Sequence, residues 1–321
     1  MNERELIDYL RGFLKKPPYL KTWLDEDCEI IELSEKTLLI SVDTSSEGMD
    51  FPSEAPPQEI GYFSASLGLS DIAACGGDPL GILVSVSIPR TFDNKVVEIY
   101  EGVNQAALEA GTFILGGDTN AGVSELSLSV VSIGLAKPNR VLRRHQANKG
   151  DLVAVSGILD RYNFGYSQYT NKEKVDFNRM LRQPAPIRLG KILSNLKGVT
   201  SCIDLPDGLI KGLCDTSPLN LGFLIDDASL PVDYYRERIK IKDIPNYILA
   251  SQPGGDLELL FTVSSSKSSS LERTLENEGI SLHWIGEVTS EPGIKIQLDK
   301  EIVPPTVTGF SHNFRESRLF T

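Results

Sequence analysis

Three aspartates stand beside glycine, serine or threonine in short segments that can place a carboxylate in a cleft. They are Asp43 in the segment SVDTSSEGMDF, Asp71 in GLSDIAACGGDP and Asp118 in LGGDTN. Each adjoins an apolar run of the kind that forms a strand or opens a helix. Mg2+ prefers hard oxygen ligands and is usually shared between carboxylates and substrate phosphates. The three segments therefore predict a divalent-metal site in a shared cleft.

Further charged residues extend this pattern. Asp27 precedes an apolar strand in the segment DEDCE, and IDLPDGL places Asp204 and Asp207 between a short strand and a helix. Asp27 could face the same ion as Asp43, although acids in loops are more often solvated. Asp204 and Asp207 could both face a bound nucleotide, or Asp207 could be the N-terminal cap of the helix that follows it. The basic pair in VLRRHQ, Arg143 and Arg144, could contact a phosphate or could simply be solvated.

The apolar pattern predicts the elements that hold these residues. Residues 3 to 15 are predicted to form a helix, and IIELSEKTLLISVD a hairpin that turns at Glu35 and Lys36 and whose second strand ends on Asp43. Residues 58 to 77 predict a helix with so many small side chains that it must pack very closely against a neighbour. FILGGDTNAG predicts a strand and then a glycine-rich turn, whose amides could approach phosphate oxygens.

The connection at residues 138 to 150 separates two halves of the chain. We expect two domains, residues 1–140 and residues 141–321, because 321 residues suffice for two cores. The second half is predicted to begin with the strand DLVAVSG and to continue through a tyrosine-rich helical region at residues 160 to 182. The segment YILASQPGGDLELLFTVS predicts a glycine turn before a strand.

Composition excludes several partners. The formal net charge of -12 and a pI near 4.9 argue against a nucleic-acid surface, which requires basic patches. An acidic protein binds a polyphosphate by bringing cations with it, which suits a metal-loaded site. The four cysteines include no CxxC pair, so we expect reduced thiols without a metal. No apolar run approaches the length of a membrane span and no signal peptide is visible, so we expect a cytoplasmic protein.

Eight segments in one order resemble the thiamine-monophosphate kinases. They are DEDCEII, SVDTSSEGMDF, IGYFSASLGLSDIAACGGDP, LGGDTN, RRHQANKGD, IDLPDGL, GGDLELLFT and IGEV. The resemblance covers nearly the whole chain, apart from the N-terminal helix, residues 160 to 185 and the tail. The same superfamily includes aminoimidazole ribonucleotide synthetase, selenophosphate synthetase and a hydrogenase maturation factor.

The resemblance implies a fold, a reaction and a set of site residues. The fold is α+β: an N-terminal domain whose four-stranded sheet pairs with that of a second subunit in a barrel, and a C-terminal α/β domain of the aminoimidazole ribonucleotide synthetase type. The implied cofactors are ATP and several Mg2+ ions, and the implied assembly is a homodimer. Nucleotide contacts fall on Gly117, Asp118 and Arg144, and Asp207 is also the expected catalytic residue. The implied metal ligands are Asp27, Ser41, Asp43, Asp71, Asp118, Asp204 and Asp207.

Four positions depart from the family pattern. Val42 stands where the family has threonine, and Pro206 where it has serine, which removes a hydroxyl and an N–H near the nucleotide. Asp50 stands at the substrate histidine and Gly255 at the substrate glutamate. Exchanging a cation-capable ring for a carboxylate changes the charge of the substrate pocket.

The sequence thus predicts ATP- and Mg2+-dependent phosphorylation of thiamine monophosphate to thiamine diphosphate. A related ATP-dependent enzyme acting on another small substrate is the alternative that Asp50 and Gly255 motivate. A dimer that has lost catalysis is a third hypothesis, which Val42 and Pro206 favour and the retained metal ligands oppose.

Overall fold

The computed structural model describes residues 3–90, 95–232 and 244–310. The elements of the first half are α1 (Glu3–Phe13), β1 (Glu29–Glu32), β2 (Thr37–Ser46), α2 (Pro57–Ala74), β3 (Asp78–Pro89), α3 (Val96–Glu109), β4 (Ile114–Val123) and β5 (Ser127–Ala136). The helices and the hairpin expected in this half are confirmed. The hairpin arises because apolar and polar residues alternate along β1 and β2, which pair as antiparallel strands.

Over the described residues the first sheet has five strands in the order β1-β2-β5-β3-β4, where the resemblance implied four. The additional strand is the short β1, which pairs with the start of β2. Two predicted ends were wrong. β2 continues to Ser46 rather than ending on Asp43, because Ser46 still pairs with Ser127 of β5. The expected glycine-rich turn around Gly117 is instead part of β4, which pairs in parallel with β3.

Helix α2 packs as closely as its small residues predict. A β-carbon on Gly61 would lie 1.9 Å from the carbonyl oxygen of Ile99 in α3, and one on Gly102 would lie 1.9 Å from that of Gln58. Side chains around the whole circumference of α2 are buried. Its backbone is therefore held against α3 on one side and the first sheet on another, which fixes the position of Asp71 in its last turn.

The second half contains β6 (Leu152–Ser156), α4 (Arg161–Thr170), α5 (Phe177–Leu181), α6 (Ile187–Asn195), β7 (Val199–Asp204), α7 (Leu209–Thr216), β8 (Gly222–Asp226), α8 (Asn246–Leu249), β9 (Leu259–Val263), α9 (Ser268–Asn277), β10 (Leu282–Thr289), β11 (Gly293–Leu298) and β12 (Glu301–Val303), with 3-10 turns at Asp227–Ser229 and Ser265–Lys267. The seven strands described in this half form one sheet in the order β12-β11-β8-β10-β6-β9-β7. Among the described strands of this second sheet, β8 and β11 pair in parallel and all other neighbours pair antiparallel. Both halves are of the mixed α+β kind, which confirms the expected α+β class, although the second sheet is mainly antiparallel and not the α/β arrangement expected for it.

One apolar core joins the two halves. It includes Leu69 of α2, Tyr162 of α4 and Phe261 of β9. A second core, with Val153 and Phe223, covers the other face of the second sheet. The chain therefore buries α2 between its two sheets, and the division at residues 140 and 141 stays a prediction. Within the described parts of the chain, no helix has the length and apolar character to cross a membrane.

Candidate active site

Three carboxylates meet where the two halves of the chain touch. Asp27 precedes β1, Asp71 lies in the last turn of α2, and Asp204 is the last residue of β7. One carboxylate oxygen of each lies within 4.8 Å of the other two. Ser70 Oγ donates a hydrogen bond to Asp204, which ties α2 to the second sheet at this point. We call these three aspartates the acid cluster.

Strand β2 adds a carboxylate and a hydroxyl to the acid cluster. Ser41 Oγ donates to Asp71 and lies 3.4 Å from Asp43 Oδ2. The carboxyls of Asp43 and Asp71 also hydrogen-bond each other. Ser41 and Asp43 share the sheet face that α2 covers, because side chains on a strand point alternately to its two faces. The structure therefore brings together five of the residues predicted as metal ligands.

Burial and mutual repulsion make the acid cluster unfavourable without a cation. Burial raises the pKa of Asp71 well above its ordinary value, and the charges of Asp43, Asp204 and Asp27 raise it further. Burial, followed by the charge of Asp27, raises the pKa of Asp204. A divalent cation would relieve this repulsion and would receive the oxygen ligands that Mg2+ prefers. The residues present therefore fit the predicted Mg2+ site.

Both arginines of the basic pair bind acids. Arg144 Nε donates to Asp27 Oδ1 at 2.9 Å, and its Nη2 donates to the same oxygen. Arg143 Nη1 donates to Glu26 Oε1 at 3.1 Å. The charge of Asp27 raises the pKa of Arg144 against the opposing effect of its burial. Arg144 thus stands at the edge of the acid cluster, and its predicted contact with a nucleotide stays a prediction.

Asp118 does not share the cleft of the acid cluster within one chain. It pairs with Ser85 of β3, which is exposed, whereas the neighbouring Val84 and Val86 are buried under the helices. Asp118 therefore lies on the opposite face of the first sheet from Asp43. It also lies three strands away, which is about 14 Å. The sequence motifs predicted the three aspartates in one cleft. Separate motifs do not reveal the strand register, which sets the face of the sheet on which Asp118 lies.

Asp207 lies in the loop between β7 and α7 and lines two cavities. The helix cap is Gly208, with φ of +85°, so Asp207 does not occupy the capping position considered for it. One cavity, of about 210 Å³, also includes Arg144 and Lys211. The other, of about 150 Å³, extends from Asp43 and Asp207 to Asp50. We call the second of these the acceptor pocket, after the phosphate acceptor that the family resemblance implies.

The acceptor pocket is lined by carboxyl groups and by aromatic and other apolar side chains. Its apolar wall is formed by Met49, Phe63, Leu67, Tyr162 and Phe310. The Phe63 and Tyr162 rings have centroids 5.9 Å apart. Asp50 Oδ2 accepts from the backbone N of Ser46 at 2.7 Å. Sequence reasoning missed Tyr162 and Phe310, and only the tyrosine-rich composition of residues 160 to 182 pointed towards this wall.

Comparison with known proteins gives the class to which this fold and acid cluster belong. Residues 25–136 match the family described as AIR synthase related protein, N-terminal domain. The solved structure titled AaThiL complexed with AMPPCP and TMP superposes with a TM-score of 0.82 at 23% identity, covering 97% of each chain. Residues 25–136 are thus a domain of the AIR synthase-related family, and the chain shares the fold of this solved structure.

Curated relatives narrow this class to one family. The thiamine-monophosphate kinase of Pyrococcus horikoshii is 30% identical over 97% of this chain and 96% of its own length. That of Methanospirillum hungatei is 28% identical over 98% of this chain and 100% of its own length. The chain belongs to the thiamine-monophosphate kinase family.

Proposed function

We propose that this protein transfers the γ-phosphoryl group of ATP to a phosphate oxygen of thiamine monophosphate, forming thiamine diphosphate and ADP. A bond forms between the acceptor oxygen and the γ-phosphorus, and the bond from that phosphorus to the β–γ bridging oxygen breaks. The observation that carries the proposal is the position of the acid cluster beside a pocket lined by aromatic rings. Family membership supports the same reaction.

The acid cluster is the proposed Mg2+ site. Asp27, Asp71 and Asp204 would hold the metal ions, with Asp43 and Ser41 completing the oxygen ligands on the β2 side. Bound Mg2+ neutralises the charge of the transferring phosphoryl group. The carboxylates would repel a polyphosphate if no cation were bound, so nucleotide binding should depend on Mg2+. Phosphoryl transfer needs positioning and charge neutralisation more than a protein nucleophile.

The loop after β7 is the proposed link between metal and acceptor. Asp207 lines the acceptor pocket as well as the cavity that includes Arg144. It is therefore the residue we assign to orient the reacting phosphates, as a further metal ligand. Arg144 is assigned to bind the nucleotide phosphates. It would then give up part of its hydrogen bonding to Asp27.

The charge of the acceptor pocket suits a cationic ring. The described residues that line it include no lysine, arginine or histidine, but they include the carboxyl groups of Asp43, Asp50 and Asp207. The thiazolium ring of thiamine carries a positive charge, which a carboxylate and the faces of aromatic rings attract. Asp50 can thus contribute to substrate binding although the family has histidine there.

The first sheet supports the proposal of a homodimer. Helices cover one face of this sheet, and the opposite face carries Val42, Thr44, Leu83, Ser85, Ser129, Val131 and Asp118. We call it the open face. Val42 is 63% exposed and Leu83 is 37% exposed on it. Pairing two open faces in a barrel would bury these side chains. It would also give Gly117 and Asp118, which lie away from the acid cluster of their own chain, a route to the site of the partner.

A different acceptor is the second candidate. The observation that favours it is that no side chain is present at Gly255, where the family has a substrate glutamate. An acceptor with another ring system on its phosphate would use the same Mg2+ and ATP site. Release of ADP that accelerates with other phosphorylated heterocycles but not with thiamine monophosphate would support this candidate.

The experiment that tests the proposed function is an ADP-release assay with purified protein, ATP and Mg2+. We expect ADP release to increase strongly when thiamine monophosphate is added and to stop when EDTA removes the metal. ADP release that does not respond to thiamine monophosphate would contradict the proposed acceptor, and ADP release that survives EDTA would contradict the proposed metal site.

A further inference from the structure

Tyr162 is fixed at both ends in the wall of the acceptor pocket. It lies in the first turn of α4 and is only 3% exposed. Its backbone N donates to Asp256 Oδ1 at 3.0 Å, and its hydroxyl donates to the backbone carbonyl oxygen of Asp50 at 2.7 Å. A ring held at its backbone and at its hydroxyl keeps one orientation. Tyr162 is therefore a rigid part of the wall.

The ring of Tyr162 also fills the space beside Gly255. A β-carbon on Gly255 would lie 2.3 Å from Cγ of Tyr162, and the φ of Gly255 is +96°, which glycine tolerates and other residues rarely adopt. The loop cannot easily move away from the ring. The backbone N of Gly255 donates to the carbonyl oxygen of Pro206 at 2.5 Å, and its carbonyl oxygen accepts from Gln183 Nε2 at 3.1 Å.

Tyr162 thus touches both positions where the chain departs from the family's substrate residues. It bonds the backbone at Asp50, and it lies where a side chain at Gly255 would begin. The Phe63 ring lies beside it at 5.9 Å with an angle of 31° between the ring planes. A neutral ring face next to the carboxylate of Asp50 attracts a flat cation better than it attracts an anion or an uncharged chain.

We propose that Tyr162 is the specificity-determining residue of the acceptor pocket. In this protein its ring, which lines the pocket with Asp50 and Gly255, provides the surface for a flat, cationic heterocycle that carries the acceptor phosphate. This inference rests on the proposed function, because it names the residue that recognises the acceptor of that reaction. It also implies that a glutamate cannot be introduced at Gly255 while Tyr162 is present.

Kinetics of three variants test the inference. Tyr162→Leu removes the ring. Gly255→Ala keeps the ring but displaces it, because the new β-carbon overlaps its position. Both should raise KM for thiamine monophosphate by about tenfold, the size of a lost cation–ring contact, with KM for ATP unchanged. Tyr162→Phe keeps the ring and should leave KM for the acceptor within about threefold of the original value. Tyr169→Phe is the matched control, since Tyr169 lies on the same helix but lines another cavity.

The outcomes separate this inference from the proposed function. If the unmodified protein forms no thiamine diphosphate, the proposed function fails and the inference fails with it. If the unmodified protein is active but Tyr162→Leu and Gly255→Ala keep its KM for thiamine monophosphate, only the inference is overturned. An equal rise of both KM values would show that Tyr162 acts through the fold rather than on the acceptor, and this result would also overturn it.

Discussion

Arg144 donates two hydrogen bonds to a single oxygen of Asp27, one of them from Nε at 2.9 Å. The guanidinium group lies on the connection between the two sheets, and Asp27 precedes the first strand. Within the acid cluster Arg144 bonds Asp27, whereas Asp204 accepts a hydrogen bond from the hydroxyl of Ser70. The stability of the metal-free protein should depend on this bond.

Arg144→Gln should destabilise the protein chiefly when metal is absent. Removing one partner of a buried ion pair costs about 3 kcal/mol, because the remaining charge is left uncompensated. Mg2+ would then bind a more negative cluster and restore part of the loss. Urea unfolding with EDTA and with Mg2+ measures this difference. Arg143→Gln is the matched control, because Arg143 bonds Glu26 outside the acid cluster, and its effect should be equal in both conditions. The same metal response in both variants would contradict the assignment.

Asp71→Asn should abolish catalysis while preserving the fold. It removes a charge without changing shape, so the metal-free variant should unfold at the same temperature as the unmodified protein or at a higher one. Activity should fall by more than about a hundredfold. Losing a residue that only hydrogen-bonds a metal ligand lowers activity by up to about that factor, and losing the ligand itself should lower it further. Thermal unfolding should show a Mg2+-induced increase for the unmodified protein and none for the variant.

The control for Asp71→Asn is Asp78→Asn, at an aspartate whose side chain is 66% exposed at the start of β3. This variant should keep both activity and the response to Mg2+. Full activity of Asp71→Asn would show that Asp71 binds no catalytic metal.

The prediction of this fold from sequence succeeded where periodicity is strong. The helix predicted for residues 3 to 15 from its apolar face spans Glu3–Phe13. The meeting of Asp27, Asp43, Asp71 and Asp204 was expected from the family resemblance, which implied all four as metal ligands, whereas the motifs alone grouped Asp43 and Asp71 with Asp118. The face on which Asp118 lies was not predictable, because a shift of one residue in the β3–β4 register would move it to the other face.

The acceptor pocket was harder to predict for another reason. Tyr162 meets Asp50 and Gly255, which are distant in sequence and belong to different elements. No local pattern of residues 160 to 182 reveals which tyrosine enters the pocket. The contact depends on how α4 packs against α2 and the loop before β9, which is a property of the tertiary fold.

Asp256→Asn should stabilise the protein increasingly as pH rises. Burial first, then the charges of Asp160 and Glu258, raises the pKa of Asp256 to about 8. The folded state therefore keeps a proton that the unfolded state releases near pH 4, so this group costs stability as pH rises towards 8. The difference in unfolding temperature between variant and unmodified protein should grow from about pH 5 to pH 8 and then level off. A constant difference would show that Asp256 is ionised in the folded protein.

Leu83→Glu should convert the proposed dimer into a monomer. The substitution places a charge in the middle of the open face, where pairing would bury it without a partner. Analytical ultracentrifugation measures the change in mass. Leu219→Glu is the control, because Leu219 is 94% exposed in the loop after α7 and lies away from the first sheet. A dimer that survives Leu83→Glu would place the subunit interface elsewhere.

Direct detection of thiamine diphosphate is the best test of whether this chain forms that product. Purified protein is incubated with ATP, Mg2+ and thiamine monophosphate, and the thiamine compounds are separated by chromatography. We predict one thiamine diphosphate for each ADP released, with no product when Mg2+ is replaced by EDTA. ATP binding in the presence of Mg2+ without any thiamine diphosphate would contradict the account and would assign the same phosphoryl-transfer scaffold to another acceptor.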